Sequence, residues 1–334
     1  MIAAPRGPLS EALVAALRAA PGTPIAAPRV EAGTPLSDDD LQLALYLAYE
    51  LHYRGLSGVD DRWEWDPELL TFRAELEAIF ERALFEAVGP PADGVAAEEM
   101  DLALRAIAEA DDAPSLSRHL EREGTIEQFR EFLIHRSAYQ LKEADPHSWA
   151  LPRLHGRPKA AMAEIQADEY GGGRPERIHA QLFAGAMDAL GVDSAYGAHL
   201  DRLPGATLAT VNLMSLCGLH RRRRGAIVGH LALFEMTSSV PNRRYGDGLR
   251  RLGLGADATG FFDEHVTADA VHESIAAVDL AGGLAAQNPA LAPDVLWGAR
   301  ALVLVEGLWA THVLDRWQRG ESSLLEPSTA ALPA

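Results

Sequence analysis

The sequence predicts an all-α protein folded as a helical bundle. Three observations carry that prediction. Most segments between punctuating prolines and glycines place apolar residues three or four apart, the spacing of one helix face. Period-two alternation, the mark of half-buried strands, is scarce. Helix-capping clusters such as Ser37-Asp38-Asp39-Asp40 and Asp66-Pro67-Glu68 stand before apolar runs. Apolar residues make up 48% of the 334-residue chain, enough for a sizeable core, and no internal repeat is evident. The length fits about two domains or one large one.

Residues 1–36 carry prolines at 5, 8, 21, 24, 28 and 35 and read as a mobile or surface-draped arm with one short helix, Ser10 to Ala20. Residues 37–112 read as an N-terminal helical region. Its first helix runs to about His52 and turns Leu41, Leu43, Ala44, Leu45 and Leu47 toward a core. A second starts at Asp66 and ends near Gly89-Pro90-Pro91, and a third covers Glu98 to Ala110. Asp111-Asp112-Ala113-Pro114 marks a boundary, and residues 113–319 form the main bundle. Its expected helices are Thr125 to Glu143, Pro158 to Tyr170, Arg174 to Leu190, Leu208 to Leu219, Gly225 to Met236, Gly260 to Val278 and Pro293 to Trp317. Residues 320–334 read as a flexible tail.

Charge and cysteine narrow the function. Thirty Lys and Arg stand against 48 Asp and Glu, a formal net of −18, which argues against nucleic acid and anionic membranes as partners. The acid excess fits a self-repelling surface, and equally a store of carboxylates for a hard metal cation. The single Cys217 excludes an internal disulfide, a thiolate zinc site and an iron–sulfur cluster. The apolar stretch Ala12 to Ala20 is broken by Arg18, unlike a signal peptide, and no run approaches the ~18 apolar residues of a membrane span. A soluble cytoplasmic protein is expected.

Three segments carry candidate chemistry. His265, Asp269 and His272 stand at i, i+4 and i+7, which at ~100° per residue confines them to about 60° of one helix face. Such a stripe can converge on a metal, or it can face solvent. Glu169 and His179 would lie ~15 Å apart on a continuous helix, but Gly171-Gly172-Gly173 between them makes a break that can bring them together. Glu164, Asp168 and Glu176 are rival acids nearby. Glu143 sits near a helix C-terminus, where the macrodipole disfavours a free carboxylate, so Lys142, solvent or a metal must relieve it.

Together with Glu235-Met-Thr-Ser-Ser-Val-Pro-Asn-Arg-Arg-Tyr245, these segments resemble the haem-oxygenase-like di-iron oxidases, often labelled iron-containing redox enzymes. The likeness covers roughly residues 125 to 317. It implies a haem-oxygenase-like bundle that binds two irons (Fe²⁺/Fe³⁺) through Glu143, Glu169, His179, His265, Asp269 and His272. Members that oxidise amine nitrogen carry a further carboxylate, which falls on Glu235 here; its alternative is an exposed helix residue or a partner of Arg243 or Arg244. With Glu235 the acids bring four negative charges, which balances two Fe²⁺.

The resemblance implies O₂ as co-substrate, an external reductant and N-oxygenation of an amine, amino-acid or guanidine nitrogen through a peroxo-di-iron(III) intermediate, in specialised metabolism. Oxidative C–C cleavage or desaturation of a small substrate shares the same core ligands. A non-catalytic iron-binding protein and a haem binder are further alternatives. The partners expected are a small-molecule substrate, an electron donor and, on family likeness, a second copy in a homodimer.

Other features read more plainly. Arg221 to Arg224 fits a solvated loop paired with surface acids. Asp193, Ser194 and His199 lack the strand–turn–helix of a hydrolase nucleophile. His52, His119, His135, His155, His230 and His312 read as surface or satisfied core residues, His147 as a support for Glu143, and Trp309 and Trp317 as packing.

Overall fold

The computed structural model describes residues 2–26, 33–92 and 94–326, with the backbone alone for 268–271. Among these all regular structure is helical. In chain order the helices are α1 (Pro8–Leu17), α2 (Asp39–Glu50), α3 (Pro67–Val88), α4 (Met100–Glu109), α5 (Leu116–Arg122), α6 (Ile126–Gln140), α7 (Asp145–Ser148), α8 (Gly156–Glu169), α9 (His179–Ala189), α10 (Gly205–Leu219), α11 (Arg224–Arg251), α12 (Ala256–Ser274), α13 (Gly283–Gln287) and α14 (Ala292–Gln318). A π-helical stretch, Ile275–Gly282, joins α12 to α13. No helix among the described residues is long and apolar enough to cross a membrane.

Side chains take up the orphaned amides at several helix starts. Asp38 accepts from Leu41 N, Asp66 from Glu68 N and Ser115 from Arg118 N, and Thr125 with Gln128 forms a reciprocal capping box on α6. Asp40 does something the sequence does not announce. Its two carboxylate oxygens accept from Leu9 N and Ser10 N, each at 2.8 Å, so an acid of α2 caps α1. Arg6 donates to the carbonyls of Leu200 and Leu203. Leu9, Leu13, Val14 and Leu17 are buried, so α1 is bolted to the core where a draped arm is expected.

α11 runs along the middle of the molecule, with α12 and α14 packed on it along their lengths, while α10 bridges α2 and α14. α11 continues through Pro241 to Arg251, well past the Met236 expected as its end. Proline removes an amide donor and crowds the preceding turn. Tyr245 and Leu249, buried beyond it, hold the second half on the core, so packing overrides the local break. The buried apolar residues from Ala3 to Leu324 form a single cluster, so the N-terminal segments and the bundle share one core.

The C-terminal stretch, expected as a flexible tail from residue 320, is held as far as Leu325, whose amide donates to the Arg202 carbonyl at 2.9 Å. Glu131 accepts from Ser322 Oγ at 2.6 Å and Ser323 N at 2.9 Å, and residues 327–334 lie outside the described residues. Of the arginine run, Arg222 and Arg223 both pair with Glu81. Arg223 also reaches Asp294 at 2.9 Å and lies over the Phe85 and Trp297 rings, bracing α3 against α14.

The α11–α14 crossing depends on Gly229 and Gly298. A Cβ on the first would overlap the Val295 carbonyl, and one on the second the Ala226 carbonyl. Alanine is worth ~0.8–1 kcal/mol over glycine in a free helix. Here Gly229→Ala and Gly298→Ala should each lower stability by about 1–3 kcal/mol, the cost of overpacking a filled core. Chemical denaturation monitored by circular dichroism checks this, and an unchanged midpoint contradicts the close crossing.

Candidate metal centre

Six acids and histidines from five elements meet in the core between α6, α8, α9, α11 and α12. Glu143 lies in the turn after α6. That turn is fixed by its neighbour Lys142, whose ammonium donates to Glu50 Oε2 of α2 at 2.7 Å and sits over the rings of Tyr46 and Tyr53, 4.7 and 4.3 Å from their centroids. Ala144 follows at φ 73°, a conformation a non-glycine residue holds only under constraint. Lys142 thus points away from Glu143, and the group facing that carboxylate is His265, with Nε2 at 3.5 Å from Oε1.

The glycine triplet performs the break expected of it. Gly171, Gly172 and Gly173 all have positive φ, and Gly171 packs so closely under Arg177 and Ile178 that a Cβ would lie 2.7 Å from their backbone. The chain doubles back, and His179, the first residue of α9, brings Nδ1 to 2.8 Å from Oε2 of Glu169, the last residue of α8. The expected helix from Arg174 therefore starts later, at His179. On α12, His265 and His272 stand two turns apart on one buried face, as their spacing requires. His272 Nδ1 lies 3.3 Å from Glu235 Oε2 on α11, and its Nε2 lies 3.0 Å from Asp168. The Asp269 side chain falls outside the described residues.

Ligand atoms of Glu143, Glu169, His179 and His265 lie within 4.8 Å of one another, and so do those of Glu169, Glu235 and His272. Glu169 belongs to both groups. All six residues are buried. Several of their atoms face one another without forming hydrogen bonds. Glu143 Oε2, Glu169 Oε2, His179 Nδ1 and His272 Nδ1 have no aligned hydrogen-bond partner among the described residues, despite the short distances. His265 Nδ1 donates to the Phe261 carbonyl at 2.8 Å, which leaves Nε2 of a neutral ring as an acceptor facing a carboxylate. Converging lone pairs in a dry interior call for cations. This buried Glu/His cluster could bind metal, and its oxygen and nitrogen donors suit iron.

Residues 130–307, more than half of the chain, match the family described as iron-containing redox enzyme. The chain belongs to that family. No curated protein matches it. As an iron-containing redox enzyme the protein is an iron-dependent oxidoreductase, and its all-α architecture is haem-oxygenase-like.

A cavity of about 260 Å³ adjoins the cluster. Glu143, Glu169, Glu235 and His265 line one part of it, and Phe132, Phe234, Tyr245, Phe262 and Trp309 supply aromatic walls. His147 also lines it, but does not support Glu143 directly. It pairs with His230 (Nε2 to Nδ1, 3.1 Å), which stacks on Phe234. Burial lowers His147 to about 4 and holds His230 well below its ordinary value, so both are neutral near pH 7. Asp168, only a rival acid by sequence, contacts the ring nitrogen of His272 that points away from the cluster. A carboxylate there fixes the tautomer and leaves Nδ1 for a ligand.

In the metal-free protein, protons do part of the work of a cation. Burial raises the Glu143 carboxyl even against the pull of His265. Burial acts on Glu169 too, but its contact with His179 prevails and lowers it, while His179 is raised by the same contact against its own burial. Burial also opposes the charge of His272, yet Glu235 lifts it to about 9. Because that value lies above the ordinary 6.5, the ion pair stabilises the fold fully below pH 6.5 and is lost as pH rises through about 9.

Two expectations follow. The melting temperature of chelator-treated protein should fall between pH 6.5 and 9, and Glu235→Gln should flatten that slope. Gly171→Ala should force the Gly171–Ile178 turn open and weaken Mn²⁺ or Fe²⁺ binding at least about tenfold by anaerobic calorimetry. Gly172→Ala, whose Cβ meets nothing, should cost only ~1–2 kcal/mol of backbone strain and keep the affinity.

Proposed function

We propose that the protein is an O₂-dependent non-haem di-iron oxygenase that transfers one oxygen atom to an amine, amino-acid or guanidine nitrogen. The observation that carries this reading is Glu235, a buried carboxylate beside His272 that shares a donor group with Glu169. In this reading Glu143, Glu169, His179, Glu235, His265 and His272 would hold the two irons, together with Asp269, whose side chain lies outside the described residues. Iron held there would supply the electrons that activate dioxygen.

The chain's own residues create the conditions for that chemistry. Glu143, Glu169, Glu235 and Asp269 together balance the charge of two Fe²⁺, so the loaded centre adds little net charge to the core. Asp168 orients His272, and the Phe261 carbonyl orients His265. The aromatic walls give the cavity an apolar side, and the neutral His147–His230 pair adds no competing charge beside the cluster. Overall, R–NH₂, O₂, two electrons and two protons yield R–NHOH and water. An external reductant restores the two electrons after each turnover.

Anaerobic titration with Fe²⁺ should give about two equivalents per chain, followed by a transient visible absorption on mixing with O₂. Glu235→Ala should keep the first equivalent and lower the yield of N-oxidised product by at least ~100-fold. Fewer than one equivalent in the wild type, or unchanged turnover in the variant, overturns the proposal. C–C cleavage products with no N-oxidised product would reassign the reaction while leaving the iron centre in place.

A further inference from the structure

The cavity beside the Glu/His cluster also contains an ion pair. Arg136 of α6 donates Nη1 to Oε1 and Nη2 to Oε2 of Glu306 on α14, at 2.9 and 2.6 Å, in the parallel geometry guanidinium and carboxylate prefer. The guanidinium lies 3.8 Å from the centroid of the Trp309 ring. Both charged residues line the cavity and are only partly exposed.

As a brace between α6 and α14 this pair is a poor choice. Bringing two charges out of water is unfavourable, and apolar residues of similar size join helices at least as well. Its position on the cavity wall gives the charge a use. Arginine has five N–H donors and spends two on Glu306, so it can receive a further anion. A simple carboxylate would meet Arg136 but be repelled by Glu306, and a simple ammonium the reverse. A group with both signs on one carbon meets both partners. Gln140, one turn further along α6, also lines the cavity, and its buried Oε1 has no hydrogen-bond partner among the described residues. It stands ready to accept from a substrate N–H.

We infer that Arg136 and Glu306 anchor the α-carboxylate and α-ammonium of an amino-acid substrate, whose basic side chain runs along the aromatic wall to the Glu/His cluster. Arg136, Glu306, Glu143 and His265 line one and the same cavity, so the anchor and the cluster share one space. The proposed N-oxygenation asks for a nitrogen on the side chain that enters it, as in lysine or arginine. The identity of the reacting nitrogen rests on the proposed N-oxygenation; the anchoring of the head does not.

Calorimetry on the full chain, with and without Fe²⁺ and under anaerobic conditions, tests the anchor with L-lysine and L-arginine. Cadaverine and agmatine lack the carboxylate, and 6-aminohexanoate lacks the ammonium. Each deletion should weaken binding at least about tenfold, as should Arg136→Met and Glu306→Gln. The double variant Arg136→Met/Glu306→Met keeps an apolar contact between the helices. It should stay folded by circular dichroism and bind L-lysine no better than cadaverine. Where turnover is measurable, Glu306→Gln should raise KM and leave kcat nearly unchanged. The inference is overturned if neither amino acid binds the wild type, if removing a head group costs nothing, or if the folded variants keep wild-type affinity. Arg136-dependent binding of an amino acid that gives no N-oxidised product with iron and O₂ would sustain the anchor and defeat the proposed reaction.

Discussion

Three buried carboxylates, Glu143, Glu169 and Glu235, converge with three imidazoles in the middle of an apolar core, and much of the surrounding structure follows from holding them there. Like charges at such distances repel strongly in a low dielectric, and no packing of hydrocarbon relieves that. The glycine loop after α8, the locked turn after α6 and the two-turn register of α12 each restrain one part of the arrangement. Their outer contacts are equally specific. The Phe261 carbonyl and Asp168 hold the far ring nitrogens of His265 and His272, so the near ones face the cluster.

Those restraints have a cost that is carried at a distance from the cluster. Lys142 and Glu50 bury a full ion pair, which stabilises the turn only because Tyr196 donates to the other oxygen of Glu50 at 2.5 Å and two aromatic rings enclose the ammonium. α11 accepts a proline in its interior because both of its halves are packed. The core tolerates such local penalties because α11 and α14 approach closely enough for their backbones to touch.

Much of this was legible in the sequence, and the remainder has a common physical reason. The spacing of His265 and His272 specifies their shared face without reference to any other part of the chain. The three glycines announce a reversal between Glu169 and His179 for the same local reason. Pairings between distant residues carry no such signature. Asp40 capping α1, Lys142 meeting Glu50 and Arg136 meeting Glu306 join positions 30 to 170 residues apart. The continuation of α11 past Pro241 is likewise decided by what packs on it. Asp168 was visible only as one of several acids near Glu169, since its role depends on which face of α12 it meets. The all-α class and the haem-oxygenase-like bundle rest on local periodicity and on motif combination, which is why they could be read directly.

The buried Lys142–Glu50 pair bears on how the protein can be divided. The segment that matches the family, residues 130–307, includes the ammonium and omits the carboxylate. A fragment cut at those limits would deprive Lys142 of its carboxylate and of the two rings that enclose it, and would strip α2 from the face of α10 it covers. Sequence similarity therefore outlines a region of shared chemistry, whereas the buried contacts extend beyond it. Their true edge lies where charge is neutralised, and that includes the helices ahead of the match.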